Sequence, residues 1–194
     1  MTTRTVATID DLYHLPENAK AELVDGEVQI MSPTGEAPGY AADEIFVALR
    51  AYSKQVRQGR AVGDNRGFRV YLPNRSSFSP DAAYYVGPEA GMRFFEGAPV
   101  FAVEVRSEGD YGPQAEVNIA QKRADYFAAG TLVVWNVDLL HEEVIRVYRA
   151  DDPKNPTIYR RGEVAEAEPA VPRWRMAVNE LFPDPNNPTI QQSS

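Results

Sequence analysis

The sequence predicts an α/β sandwich, a mixed sheet flanked by helices and preceded by N-terminal hairpins. Three observations lead there. Residues 100–105 (VFAVEV) and 131–137 (TLVVWNV) are short apolar runs rich in β-branched residues, the pattern of strands covered on both faces. A helical segment lies between them, so the unit reads strand–helix–strand, a right-handed parallel crossover. Asp25-Gly26, set between two strand-like segments, marks a tight antiparallel hairpin, and further antiparallel strands follow near the C-terminus.

Taken in order, residues 1–20 are polar, with a short helix expected at 10–14 and ended by Leu15-Pro16. Residues 22–24 and 27–31 flank Asp25-Gly26, a type I′ signal because both turn positions need positive φ. Ser32-Pro33-Thr34-Gly35 ends the second strand. From 39 to 58, Ala41, Ile45, Ala48, Leu49, Tyr52 and Val56 recur at helical spacing, and Gly59 supplies the stop. Residues 61–62 and 68–72 read as a second hairpin closed by the loop 63–67. A strand is expected at 81–86 after a turn over 76–80, then a loop over 87–97, the apolar strand at 100–105, and a glycine-rich mobile loop at 108–117. Asn118 then caps a helix to about residue 129, with Gly130 just past its end. Strands follow at 131–137, 144–149 and 157–161, the last two joined by a turn over 151–156, and a helical turn at 179–182 closes the fold.

With 194 residues, 43% hydrophobic and 25% charged, the chain reads as one globular domain over 1–182. The Pro/Asn/Ser-rich tail, 183–194, is expected to be poorly ordered. A formal charge of −8 argues against coating nucleic acid through net charge alone, although arginines gather at 57, 60, 66 and 69 and again at 160, 161, 173 and 175. The absence of cysteine excludes disulfides, thiol catalysis and thiolate metal sites. No N-terminal stretch has signal-peptide character, and no window approaches the ~20 apolar residues of a membrane span, so a cytoplasmic protein is expected. His14 and His141 are isolated and make no zinc site.

Glu104 interrupts the apolar run 100–105, and a buried carboxylate is costly unless paired, protonated or metal-bound. Asp81 follows Ser79-Pro80 upstream, and Lys122 lies on the expected helix downstream. Two carboxylates on neighbouring strands suit Mg²⁺ or Mn²⁺, hard cations that prefer oxygen ligands, and a lysine beside them suits a phosphoryl substrate. Each residue also has a plainer reading. Glu104 could pair with Arg69 or Arg123, Asp81 could cap a Pro-Asp turn, and Lys122 and Glu22 could be solvated. On a helical wheel Ala120, Ala124, Phe127 and Ala128 form the apolar face, with Lys122 at its edge and Arg123 a rival for the inward cation.

AELVDGEVQIMSPTG, SPD, FAVEVRS and QKRADYFAAGTLVVWNVD, in that order from residue 21 to 138, resemble the Uma2 family (DUF820). That family is assigned to the PD-(D/E)xK restriction-endonuclease-like superfamily. The resemblance implies a restriction-endonuclease-like mixed sheet and a Mg²⁺- or Mn²⁺-dependent endonuclease acting on DNA. It implies Asp81 and Glu104 as the acidic metal ligands, with the Val105 carbonyl helping. Lys122, followed by Tyr126, would be the catalytic lysine moved onto the helix, and Glu22 an auxiliary acid. A homodimer is the analogous assembly. Two departures from the family pattern stand out: Arg106 occupies the place of the superfamily's usual lysine, and Pro38 or Tyr40 stands in the region where many relatives carry a histidine. The alternative is a catalytically silent module that keeps the fold for protein or nucleic-acid interaction.

Overall fold

The computed structural model describes residues 6–15 and 19–184. Its elements are α1 (Ile9–Leu12), β1 (Ala21–Val24), β2 (Glu27–Ile30), α2 (Glu36–Val56), β3 (Arg60–Val62), β4 (Phe68–Arg69), β5 (Ser77–Phe78) and β6 (Ala82–Tyr85). They continue with β7 (Phe95–Glu96), β8 (Phe101–Val105), α3 (Pro113–Ala128), β9 (Val133–Val137), β10 (Ile145–Arg149), β11 (Asp152–Tyr159), β12 (Val164–Glu166) and β13 (Arg175–Ala177), then a 3₁₀ turn at Val178–Leu181. The central sheet has six strands in the order β11-β10-β9-β8-β6-β3, with β8 and β9 parallel and every other pair antiparallel. The expected crossover, β8–α3–β9, joins the parallel pair.

Alternation along β8 and β9 sorts the two faces. Phe101, Val103 and Val105 with Val133, Trp135 and Val137 point into a core closed by Ala41, Ala42, Ile45 and Leu49 of α2 and by the C-terminal segment through Trp174 and Leu181. Ala102 and Val134 point the other way, into a second core with Phe68, Phe78, Tyr85 and Tyr126. Each large apolar side chain fully buried in these layers stabilises the fold by about 1.5–3 kcal/mol. Glu104 and Asn136 are one register pair on this second face, where α3 packs.

The first hairpin is as expected: β1 and β2 pair around Asp25 and Gly26, at φ 51° and 74°. Several local expectations are corrected. Residues 61–62 and 68–72 do not form a hairpin, because β3 joins the central sheet through β6 while β4 pairs with β5 and β7 in a separate three-stranded sheet. The helix expected from Asn118 begins at Pro113, so much of the expected loop 108–117 is its first turns. Proline is favoured in a helix's first turn, where its missing N–H costs nothing. The turn expected over 151–156 is confined to residues 150–151, and Pro153 and Pro156 lie within β11. Proline is tolerated there because β11 is the edge of the sheet. β12 and β13, unanticipated, form a small antiparallel pair. Most of the expected tail, 185–194, and Pro16 lie outside the described residues.

Candidate active site

The face of the sheet that carries Glu104 is built into a polar cleft by three segments meeting at the end of β8. Asp81, one residue before β6, bonds the strand on both sides of Glu104. Its N–H donates to the Val103 carbonyl at 3.1 Å, and its Oδ2 accepts the Val105 N–H at 2.7 Å. A side chain thus continues the ladder where the backbone leaves it. The β1–β2 hairpin is fastened beside this point: the Leu23 N–H donates to Ser77 Oγ at 2.8 Å and the Ser76 N–H to the Leu23 carbonyl at 2.9 Å. Strand alternation then turns Glu22 inward, and Lys20, two residues earlier, faces the same way.

Lys122 Nζ bridges the two glutamates, 2.8 Å from Glu104 Oε2 and 2.9 Å from Glu22 Oε1. Tyr126, one helical turn further on, donates its hydroxyl to Glu104 Oε1 at 2.6 Å. Glu22 also accepts the Ser79 N–H at 2.8 Å and Arg75 Nη1 at 2.5 Å. Arg75 is held in turn by Asp125 Oδ2 at 2.8 Å, and Asp125 accepts from Asn74 and Gln121. Lys20 Nζ lies 2.5 Å from Asp81 Oδ1 and 2.7 Å from Asp64. These groups line or underlie a cleft of ≈ 580 Å³ whose wall also includes Val105, Arg106, Asn136 and residues Met31 to Thr34.

Charge is balanced unevenly across the cleft. Burial pushes the Glu22 carboxyl up, but Lys122 and Arg75 outweigh it and hold the group below the usual glutamate range. For Glu104, burial and then the negative charges of Asp81 and Glu22 outweigh Lys122 and Lys20, and its carboxyl is raised. Burial and the neighbouring Glu104 and Glu22 charges keep the Tyr126 hydroxyl protonated far above its ordinary value, so it remains a donor. The residues fit a hard divalent cation: the donors are carboxylate oxygens, and Glu104 sits in an excess of negative charge that a cation would relieve. Among the described residues no three Asp, Glu or His side chains already surround one metal position. Lysines are interleaved between the acids instead.

Asp81, Glu104, Val105, Lys122 and Glu22 therefore meet in one cleft. Glu104 is less enclosed than a strand covered on both faces implies, since its side chain keeps 22% exposure toward the cleft. Glu22 is not solvated, with only 6% of its side chain exposed. Lys122, not Arg123, is the cation on Glu104; Arg123 bonds Asn136 Oδ1 at 3.0 Å on the other side of α3. Arg69 pairs instead with Glu96. The wheel reading of α3 is overturned as well. Ala120, Ala124 and Ala128 are exposed, and the inward side is Ile119, Lys122, Arg123, Asp125, Tyr126 and Phe127. Pro38 and Tyr40 fall in α2 and do not line the cleft, although the turn before them does. Lys20 and Arg75 were missed. The period-two relation of Lys20 to Glu22 was a usable signal for the first, whereas nothing local announced Arg75.

A mixed α/β sheet with acids and a lysine at the end of its parallel pair is the arrangement that the sequence resemblance implies. Comparison agrees: the sequence model of Uma2, described as "Putative restriction endonuclease", matches residues 9–179. The chain belongs to the Uma2 family. No curated protein matches it. Among solved structures it is similar to a protein from Anabaena variabilis titled "putative nuclease belonging to DUF820", with a TM-score of 0.70 and 18% identity over 90% of this chain and 97% of that one. At that identity the likeness establishes the nuclease-like fold.

Proposed function

We propose that the chain is an endonuclease that hydrolyses DNA phosphodiester bonds with Mg²⁺ or Mn²⁺. The observation that carries the reading is the convergence of Asp81, Glu104, Glu22 and Lys122, distant in sequence, in one cleft. Asp81, Glu104 and the Val105 carbonyl would hold the ion, which would polarise a phosphoryl oxygen and lower the pKa of a bound water. The chain's own residues prepare the site. The Val105 N–H fixes one Asp81 oxygen, and the Tyr126 hydroxyl fixes one oxygen of Glu104. Glu22, itself anchored by Arg75 and Ser79, holds the Lys122 ammonium at the cleft, where it would stabilise negative charge growing on the phosphate. One cleft addresses one strand, so a homodimer would serve double-strand cleavage.

The test is nicking of supercoiled plasmid with Mg²⁺ or Mn²⁺ by wild type, Asp81→Asn, Glu104→Gln and Lys122→Met. Wild type should nick, and each variant should lose on the order of 100-fold or more, the scale of removing one charge-stabilising group. Equal nicking by all four proteins would sink the proposal. An inert wild type that is folded and binds the metal would leave the silent interaction module in its place.

A further inference from the structure

α3 divides two basins. Lys122 faces the carboxylate cleft, and its neighbour Arg123 faces a second cavity of ≈ 330 Å³ lined by Arg106, Arg123, Arg146, Asn136, Tyr148 and His141, with Glu116 and Asp138. Arg106 and Asn136 line both. Two features of the second basin are unexplained by its internal contacts. The Arg123 guanidinium is half-buried over the Tyr148 ring, 3.7 Å from its centroid, and makes no ion pair among the described residues. Arg106 keeps only 8% of its side chain exposed, yet its Nε has no hydrogen-bond acceptor; Asp138 Oδ2 lies 3.7 Å from it. Asp138 is itself already bonded by Tyr111, His141 and the Leu140 N–H. Of the three guanidiniums lining the basin, Arg106 engages Glu116 through its outer nitrogens and Arg146 pairs with Glu143, which leaves Arg123 as the one with no ion pair among the described residues. Burial pulls the Arg123 pKa down, and Tyr148 and Glu116 offset that only in part.

We propose that this basin is a phosphate subsite that grips a nucleic-acid backbone phosphate beside the one in the carboxylate cleft. A phosphate offers several acceptor oxygens to forked guanidinium donors, and it supplies the counter-charge that Arg123 lacks and an acceptor for the Arg106 Nε. The shared wall of Arg106 and Asn136 makes the two basins consecutive stations along one strand. Such a contact positions the backbone without reading sequence. It also concentrates positive charge locally on a chain whose net charge of −8 opposes nucleic acid. The proposal rests on the nuclease reading for its ligand but not for its test.

The test measures binding in the presence of EDTA, so that cleavage plays no part. The full chain is titrated with a short fluorescein-labelled DNA duplex over a range of salt, and with inorganic phosphate by calorimetry. Arg123→Gln and Arg146→Gln should each weaken duplex binding by about tenfold and reduce the salt slope by about one contact. Arg123→Lys should retain the slope. Arg57→Gln, outside the basin, should change neither, and thermal melts of each variant guard against misfolding. The proposal is overturned if Arg123→Gln and Arg146→Gln bind the duplex as wild type does, or if Arg57→Gln weakens it equally. It also falls if wild type binds phosphate but no duplex, which would make this a free-phosphate site. Arginine-dependent binding without any plasmid nicking would support the subsite and sink the hydrolytic reading alone.

Discussion

Lys20 and a divalent cation would compete for the same Asp81 oxygen, because the ammonium sits 2.5 Å from Oδ1. Removing its positive charge near a doubly charged ion should strengthen binding roughly tenfold. Lys20→Gln is therefore expected to bind Mn²⁺ more tightly by calorimetry, and weaker binding would show instead that Lys20 helps build the site. Tyr126 separates orientation from packing. Tyr126→Phe keeps the ring stacked 4.0 Å from Phe78 but deletes the donor to Glu104. Plasmid nicking should fall while stability changes by only about 1 kcal/mol in urea unfolding. Equal nicking would mean that the hydroxyl does not orient Glu104. These residues were unequally legible. A carboxylate inside an apolar run draws attention to Glu104 on chemical grounds alone. Lys20 and Arg75 reach acids 61 and 53 positions away, and such partners exist only once the hairpin has docked.

α3 carries charge on its inward face. Lys122, Arg123 and Asp125 are interleaved there with Tyr126 and Phe127, because the helix covers a charged cleft as well as the second core. A wheel that assumes an apolar inside therefore selects Ala120, Ala124 and Ala128, which face solvent. The apolar patterns that do face cores, in α2, β8 and β9, were readable from sequence. Two-residue strands such as β4 and β7 were not, since they are too short to show any period. The hairpin and α3 are joined through Arg75, buried between Glu22 and Asp125 with 7% of its side chain exposed. Arg75→Ala strands two acids and should cost about 3–5 kcal/mol in denaturant unfolding; a loss under ~1 kcal/mol would show the link to be slack. The same network sets an acid limb. Because the folded Glu22 carboxyl lies below its ordinary 4.5, its stabilisation is present above that pH and is lost as pH falls through the folded value. Glu22→Gln should flatten the decline of Tm below about pH 4.5. An unchanged acid limb would place the titration elsewhere.

For the whole molecule, the mixed sheet does two jobs with opposite faces. One face packs on α2 and the C-terminal segment as an apolar core, and the other carries the acids at the end of its parallel pair. The order of hairpin, helix and crossover was visible in the sequence, whereas the separate small sheet and β12–β13 depend on long-range pairing that no local pattern specifies. Among the described residues no helix is long and apolar enough to cross a membrane. If this acidic chain acts on DNA as proposed, it must rely on local charge, and plasmid nicking should weaken steeply as salt rises. The account turns on Asp81 and Glu104 sharing one cation. The most direct measurement is a calorimetric Mn²⁺ titration of wild type and of the folded Asp81→Ala/Glu104→Ala double variant. Binding by wild type that disappears in the double variant is the predicted result; binding of equal affinity in both, or by neither, would contradict it.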